Sequence, residues 1–207
     1  MAEPKIAHFI LAAGASSRMG TPKQLLPWFK DTLITYEISK SIQLKNVKTY
    51  VILGANYEII DKEIKDFAVT IIYNNNWQLG MGTSIRCGVQ YILKEDKKFD
   101  AILITLVDQP MIDLIHLNEL LLKWSTRSQS IIATKMEKGK GVPAIFPSSY
   151  FKDLLKLKND YGARYLIKQY EDQVVSIAAN AKTDDIDTID QYKSLLEKVN
   201  MTTKQSK

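Results

Sequence analysis

Residues 6–23 read IAHFILAAGASSRMGTPK, an apolar run at 6–11 followed by a loop that carries Gly14, Ser16, Ser17, Arg18, Gly20 and Lys23. The run has the unbroken apolar character of a strand buried on both faces of a parallel sheet. Glycines, serines and two cations so close together suit an anion. Spacing excludes two familiar phosphate-binding patterns. A P-loop places four residues between its first glycine and Gly-Lys-Ser/Thr, whereas five separate Gly14 from Gly20, and Thr21, Pro22 and Lys23 follow. A dinucleotide fingerprint needs a glycine two residues after the first, and that position is Ser16. What remains is a longer loop whose backbone N–H groups can wrap phosphates while Arg18 and Lys23 supply positive charge.

The same alternation continues outward. Apolar or β-branched runs recur at 49–53, 69–73 and 101–107. Between them apolar residues fall at helical spacing: Leu33, Tyr36, Ile38 and Ile42, then Ile59, Ile60 and Ile64, then Ile85, Val89, Ile92 and Leu93. A further helix carries Leu114, Leu117, Leu120, Leu121 and Trp124, with Asp113 placed to cap it. This order predicts a single-domain α/β fold of Rossmann-like type: an open, mixed but mostly parallel sheet with helices on both faces. The last third predicts strands at 130–133, 144–146 and 173–177 and helices at 150–157, 163–170 and 188–199. Residues 138–143 (KGKGVP) are expected to form a loop. The domain is expected over 1–200, with a flexible tail at 201–207.

Composition narrows the function classes. The chain has 207 residues and a net charge of +5, from 28 basic and 23 acidic side chains. The lysines are scattered among acids, which reads as solvated surface and not as a nucleic-acid footprint. Cys87 is the single cysteine, so an internal disulfide is excluded, and its neighbours suggest a packed thiol on the inner face of a helix. No stretch approaches the roughly 20 apolar residues of a membrane span, and the first apolar run is too short for a signal peptide. The expectation is a soluble cytoplasmic protein without a nucleic-acid or membrane partner.

Ligands of open α/β sheets bind beyond the carboxyl ends of the strands. Three unusual segments fall there: the opening loop, residues 74–84 (NNNWQLGMGTS), and Asp108-Gln109-Pro110. A carboxylate fixed at the end of a buried strand suits a metal ligand; the competing reading of Asp108 is a turn cap before the next helix. His8 in a strand and His116 in a helix lack matching partners and read as structural. Trp28, Trp77 and Trp124 read as packing, with Trp77 in a loop that borders the site. Tyr161 and Arg164 open a helix from which Arg164 could reach an anionic acceptor; otherwise they form a surface turn.

The stretch LAAGASSRMGTPKQLLP resembles the signature of nucleotidyltransferases with the molybdopterin-guanylyltransferase-like, nucleotide-diphospho-sugar-transferase fold. Within that group it is most similar to the molybdenum cofactor cytidylyltransferases. The segments 74–84, 108–110, 139–143 (GKGVP), 160–164 (DYGAR) and 185–188 (DIDT) stand in the family's order, so the resemblance covers nearly the whole chain. It implies an Mg²⁺-dependent transfer of a nucleotide monophosphate from an NTP to a phosphorylated acceptor, with release of pyrophosphate. Leu11, Ala12, Ala13 and Gly14 would line the base, Ser16, Ser17, Arg18, Met19 and Gly20 would cradle the triphosphate, and Asn74, Gly80, Gly82 and Ser84 would complete the nucleotide site. Arg18, Lys23 and Asp108 would be catalytic. Asp108 would bind the metal with Asp187, or with Asp185. Gly141, Pro143 and Arg164 would face the acceptor.

In the family, glycine at the position of Ala13 goes with guanine and alanine with cytosine, so CTP is expected. The acceptor implied is the pterin of the molybdenum cofactor, with a molybdoenzyme or chaperone as a further partner. Val142 departs from the histidine that the family often has before this proline. The alternatives are a transferase of the same fold using GTP or a sugar or alcohol phosphate, and a non-catalytic cofactor-delivery module. A phosphate-monoester nucleophile is largely ionised near neutral pH, its second pKa being about 6, so no general base is required. The loops accordingly hold no histidine.

Overall fold

The structure, a computed structural model, describes residues 3–137, 139–179 and 184–205, the last four by backbone alone. In chain order the strands are β1 (Ile6–Leu11), β2 (Pro27–Trp28), β3 (Asp31–Thr32), β4 (Val47–Leu53), β5 (Thr70–Tyr73), β6 (Ala101–Leu106), β7 (Ile131–Met136), β8 (Gly139–Pro147) and β9 (Val174–Ala178). The helices are α1 (Leu33–Ser41), α2 (Tyr57–Ile64), α3 (Met81–Ile92), α4 (Leu114–Thr126), α5 (Phe151–Leu155), α6 (Ala163–Gln169) and α7 (Ile189–Gln205). Seven strands form one sheet in the order β5-β4-β1-β6-β8-β7-β9. All run parallel except β8, which pairs antiparallel with β6 and β7. This is the mixed, mostly parallel sheet that the alternating pattern predicts.

β1 is apolar except for His8 because it lies between β4 and β6 with every residue buried. Ala7, Phe9 and Leu11 pack beneath α3, α5 and α6 on one face; Ile10 packs with residues of α1, α2 and α7 on the other. A third cluster, holding Ala101, Leu103, Ile132 and Ile145, sits under α4. Reversal of the strand order at β1 puts the opening loop and the end of β6 side by side, at the switch point where open sheets hold ligands.

Two expectations need correction. Residues 139–143 are not a loop but the first part of β8. Register shifts between Ala133, opposite Ala144, and Thr134, opposite Gly141, leaving Val142 and Pro143 as a bulge. A proline without an N–H is tolerated in an inner strand at such a bulge. Lys138 lies outside the described residues. The closing helix passes its expected end at 199 and continues to Gln205, so most of the supposed tail is helical; 206 and 207 lie outside the described residues. The two-residue strands β2 and β3 were not expected.

Caps follow the sequence signals. Asp113 accepts from His116 N at 2.9 Å, and Thr188 with Gln191 forms a capping box ahead of α7. The single thiol is half-buried, packed against the core, and pushed up in pKa by that burial. No described helix is long and apolar enough to cross a membrane.

Candidate functional site

The loop that leaves β1 is shaped by one buried side chain. Gln24 is 1% exposed, and its Nε2 donates to Ala12 O (2.8 Å) and Gly14 O (2.9 Å). Ser16 takes a left-handed backbone (φ 55°), its Oγ accepts from Lys23 N at 2.9 Å, and Gly20 (φ 67°) closes the turn. Met19 drops into the core beside Leu26 and Trp28, so it anchors the loop and is not open to a nucleotide. Ser17 and Arg18 stay exposed at the tip.

Lys23 ends this loop at the carboxyl end of β6. Its Nζ donates to Asp108 Oδ2 (2.8 Å), to Ile186 O (2.7 Å) and, at 3.4 Å, to Asp187 Oδ1. Arg18 reaches the same Asp187 oxygen at 3.3 Å, an exposed pair that adds little stability. The segment DID is set by its middle residue. Ile186 is buried and its N–H donates to Asp108 O at 2.9 Å, which turns the flanking acids to different partners. Asp187 meets Lys23, whereas Asp185 Oδ1 accepts from Gln109 Nε2 at 2.8 Å. Desolvation, then the charges of Asp108 and Asp187, raise the Asp185 pKa against the opposing pull of Gln109 and Arg164.

Two cavities meet at this cluster. One, of about 330 Å³, is lined by residues 11–15, Lys23, Gln24, Trp77, Gly80, Ser84 and Asp108. The other, of about 920 Å³, is lined by Arg164, Asp185, Asp187 and the first turns of α7. Lys23 lines the first and bonds to Asp187 in the second, so the ion cluster is the wall they share. Of the 74–84 residues, Gly80 and Ser84 line the first cavity, while Asn74 is buried and braces α3, its Nδ2 donating to Thr83 Oγ1 (2.8 Å) and Ser84 Oγ (3.0 Å).

Gly82 approaches protein and not ligand. A Cβ there would strike Lys158 O and Tyr161 O, and its N–H donates to Asn159 O at 2.9 Å. Arg86 grips the same segment through Leu157 O and Asn159 Oδ1. Gly141 lies beneath the Arg164 guanidinium, 3.4 Å from where its Cβ would be. Pro143 is buried, with its carbonyl accepting from Thr134 Oγ1 at 2.7 Å, so it shapes the acceptor side without facing it.

Trp77 packs over Gly54, where a Cβ would lie 2.5 Å from the Trp77 Cβ, 2.6 Å from its indole Cγ and 2.9 Å from the Ala13 methyl. Ala13 and Trp77 line the smaller cavity, and Gly54 packs close to both. The histidines are structural. His8 is buried between Ser41 Oγ (2.6 Å) and Thr105 Oγ1 (2.9 Å), and His116 bonds to Thr134 Oγ1 at 2.9 Å.

Among the described residues, no group of three or more His, Cys, Asp or Glu is arranged to hold a metal ion. A smaller donor set is present. Asp108 Oδ1 is buried without a hydrogen-bond partner, and Asp187 lies across Lys23 from it. Mg²⁺ commonly takes one or two protein carboxylates and fills its shell with water and substrate phosphates, which these residues fit. Asp185 has one oxygen engaged by Gln109 and makes no ion pair with Lys23.

Sequence reasoning missed Gln24, Gly54 and Ile186. Gln24 stands directly after Lys23, but its task is to hold two backbone carbonyls, which no residue pattern announces. The signal for Ile186 was one apolar residue between two acids.

The sequence model of the MobA-like NTP transferase domain matches residues 8–174. The chain is 25% identical over 202 residues to nicotine blue oxidoreductase of Paenarthrobacter nicotinovorans, covering 93% of this chain and 97% of that protein. It is 26% identical to purine catabolism protein PucB of Bacillus subtilis (93% and 96%) and 25% identical to the molybdenum cofactor cytidylyltransferase of Escherichia coli (88% and 91%). Among solved structures, the Rv0371c homologue from Mycobacterium sp. strain JC1 superposes with a TM-score of 0.82 at 28% identity, covering 95% of this chain and 98% of that one. Rv0371c of Mycobacterium tuberculosis in complex with manganese gives 0.76 at 22% identity, covering 93% and 98%.

Proposed function

The chain belongs to the MobA-like NTP transferase family of nucleotidyltransferases, and on that premise we propose that it transfers CMP from CTP to a phosphorylated acceptor, the pterin of the molybdenum cofactor. One observation carries the reading. Lys23, Asp108 and Asp187 form an ion cluster on the wall between a cavity lined by the opening loop and a second cavity lined by Arg164. A two-substrate transfer needs this: nucleotide on one side, acceptor on the other, charge control between them.

In the reaction an acceptor phosphate oxygen bonds to the α-phosphorus of the NTP while the bond from that phosphorus to the β-phosphate oxygen breaks. Pyrophosphate carries away the electron pair. Both reactants are anions, so catalysis is mainly positioning and charge stabilisation. Backbone groups of Ala12, Ala13 and Gly14 hold the nucleotide, with Gln24 fixing their shape. Lys23 and Arg18 stand against the negative charge that builds on the departing phosphates. Asp108 and Asp187 would hold Mg²⁺, which screens that charge when bound. Arg164 draws the anionic acceptor.

CTP is favoured by Ala13, which lines the smaller cavity together with Trp77, where a methyl in place of hydrogen leaves less room for a purine. The cytidylyltransferase relative supports the same base and the pterin acceptor. Relatives of similar identity carry other names, so the acceptor is varied in the test. A panel of CTP and GTP against pterin, sugar and alcohol phosphates, read by pyrophosphate release with Mg²⁺, should give turnover with CTP and the pterin. Turnover with GTP alone would overturn the base assignment, and turnover only with other acceptors would overturn the pterin.

A further inference from the structure

We propose that in the nucleotide-free protein the Lys23 ammonium holds the cation position between Asp108 and Asp187, so that a divalent cation gains both carboxylates only after a triphosphate has drawn Lys23 away. This rests on the transferase reading above and adds an order of binding to it.

Geometry makes the two occupants exclusive. Asp108 Oδ2 and Asp187 Oδ1 converge on a single nitrogen, at 2.8 and 3.4 Å, and Ile186 O takes a further proton of the same ammonium at 2.7 Å. A metal bound to both oxygens would sit where Nζ sits, and the ammonium beside it would repel a divalent charge. The Lys23 side chain is only 13% exposed, so solvent screens that repulsion poorly. One oxygen of the cluster, Asp108 Oδ1, is left buried without a donor: the Lys23 arrangement satisfies the site incompletely.

The lysine is built to leave. Its backbone is fixed, with the N–H on Ser16 Oγ, while its flexible stem lines the smaller cavity where the triphosphate would lie. Polyphosphate offers the ammonium acceptors of greater charge than the carboxylates it leaves. Asp108 then loses its ammonium partner and Asp187 keeps only its exposed contact with Arg18, so the two carboxylates become the ligands that the incoming cation requires. Lys23 would thereby prevent a free metal ion from locking the site before nucleotide arrives.

The test measures Mn²⁺ binding to nucleotide-free protein by the paramagnetic resonance of the free ion, with melting temperature followed in parallel. Compared are the unaltered chain, Lys23→Met, and Lys23→Met combined with Asp108→Asn. Lys23→Met should bind Mn²⁺ at least about tenfold more tightly than the unaltered chain, because a unit charge is removed next to both ligands. It should melt lower without metal and regain stability with Mn²⁺. Asp108→Asn should abolish the gain. Should Lys23→Met fail to fold, Lys23→Gln, which can still donate to Ile186 O, carries the comparison.

Equal Mn²⁺ affinity with and without Lys23 would overturn the proposal, as would a gain that survives Asp108→Asn. Pyrophosphate release by the unaltered chain is read separately. If it occurs without the gain in metal affinity, the binding order fails and the transferase stands. If the gain occurs and no NTP is turned over, the transferase reading fails.

Discussion

Replacing Gln24 by alanine should damage the nucleotide site without touching any group that meets a ligand's phosphates. The Gln24 amide donates to two carbonyls, Ala12 O and Gly14 O. Ala12 is 1% exposed, so its carbonyl would lose its donor where water is excluded, at a cost of about 1–3 kcal/mol. Gly14 is exposed and its carbonyl can turn to solvent, for a net loss of about 1 kcal/mol. The space left by the buried side chain raises the cost further. A loss of about 3 kcal/mol is expected, or roughly 10 °C in melting temperature for a chain of this size. Urea unfolding followed by tryptophan fluorescence measures it, with NTP affinity measured on the same samples. Ser17→Ala, at the exposed tip of the loop, should stay within about 0.5 kcal/mol. A Gln24→Ala protein as stable as that control, with unchanged NTP affinity, would refute the idea that Gln24 sets the loop.

Three further outcomes are expected. Gly82→Ala should cost about 1–3 kcal/mol by overpacking against the carbonyls of Lys158 and Tyr161, whereas Gly14→Ala, with open space around it, should leave stability nearly unchanged; urea midpoints compare them. His8 is held neutral by burial and by the nearby Lys40 charge, its pKa lowered from 6.5 to about 3. The folded state therefore binds fewer protons than the unfolded one between these values, so this contribution is complete above pH 6.5 and declines as pH falls towards 3. It accounts for a slope of about 1.4 kcal/mol per pH unit, which His8→Gln should remove from the stability profile. Ala13→Gly should remove a methyl from the lining of the smaller cavity and raise turnover with GTP relative to CTP; an unchanged ratio would place base selection elsewhere.

The legible parts of the fold are those where one physical demand fixes the residue type. β1 and β6 are buried on both faces, so apolar residues dominate them and the sequence reads as strand. The Asp113 cap is legible because a helix end needs such a side chain. The first part of β8, 139–143, was misread since glycine and proline mark loops in general, and the bulge that admits Val142 and Pro143 depends on the register of β7; the strand expected at 144–146 lies within it. The hairpin of β2 and β3 was invisible because two residues cannot display a period.

Within the site, charge was legible and its bracing was not. Lys23 stood out in the opening loop, Asp108 at a strand end and Asp187 through the family resemblance, and the structure brings them together. Gly82 was read as making room for a nucleotide, while the room is taken by residues 157–161. Met19 stood in the phosphate loop by sequence and lies in the core by packing. A neighbour distant in the chain decided each of these.

The central claim, that Asp108 and its partners at the shared wall carry out nucleotidyl transfer, is tested most directly by pyrophosphate release from the Asp108→Ala protein under saturating CTP, acceptor and Mg²⁺. Loss of a charged group at the reacting phosphates should lower the rate at least about a hundredfold while the protein remains folded. A rate equal to that of the unaltered chain would contradict the account.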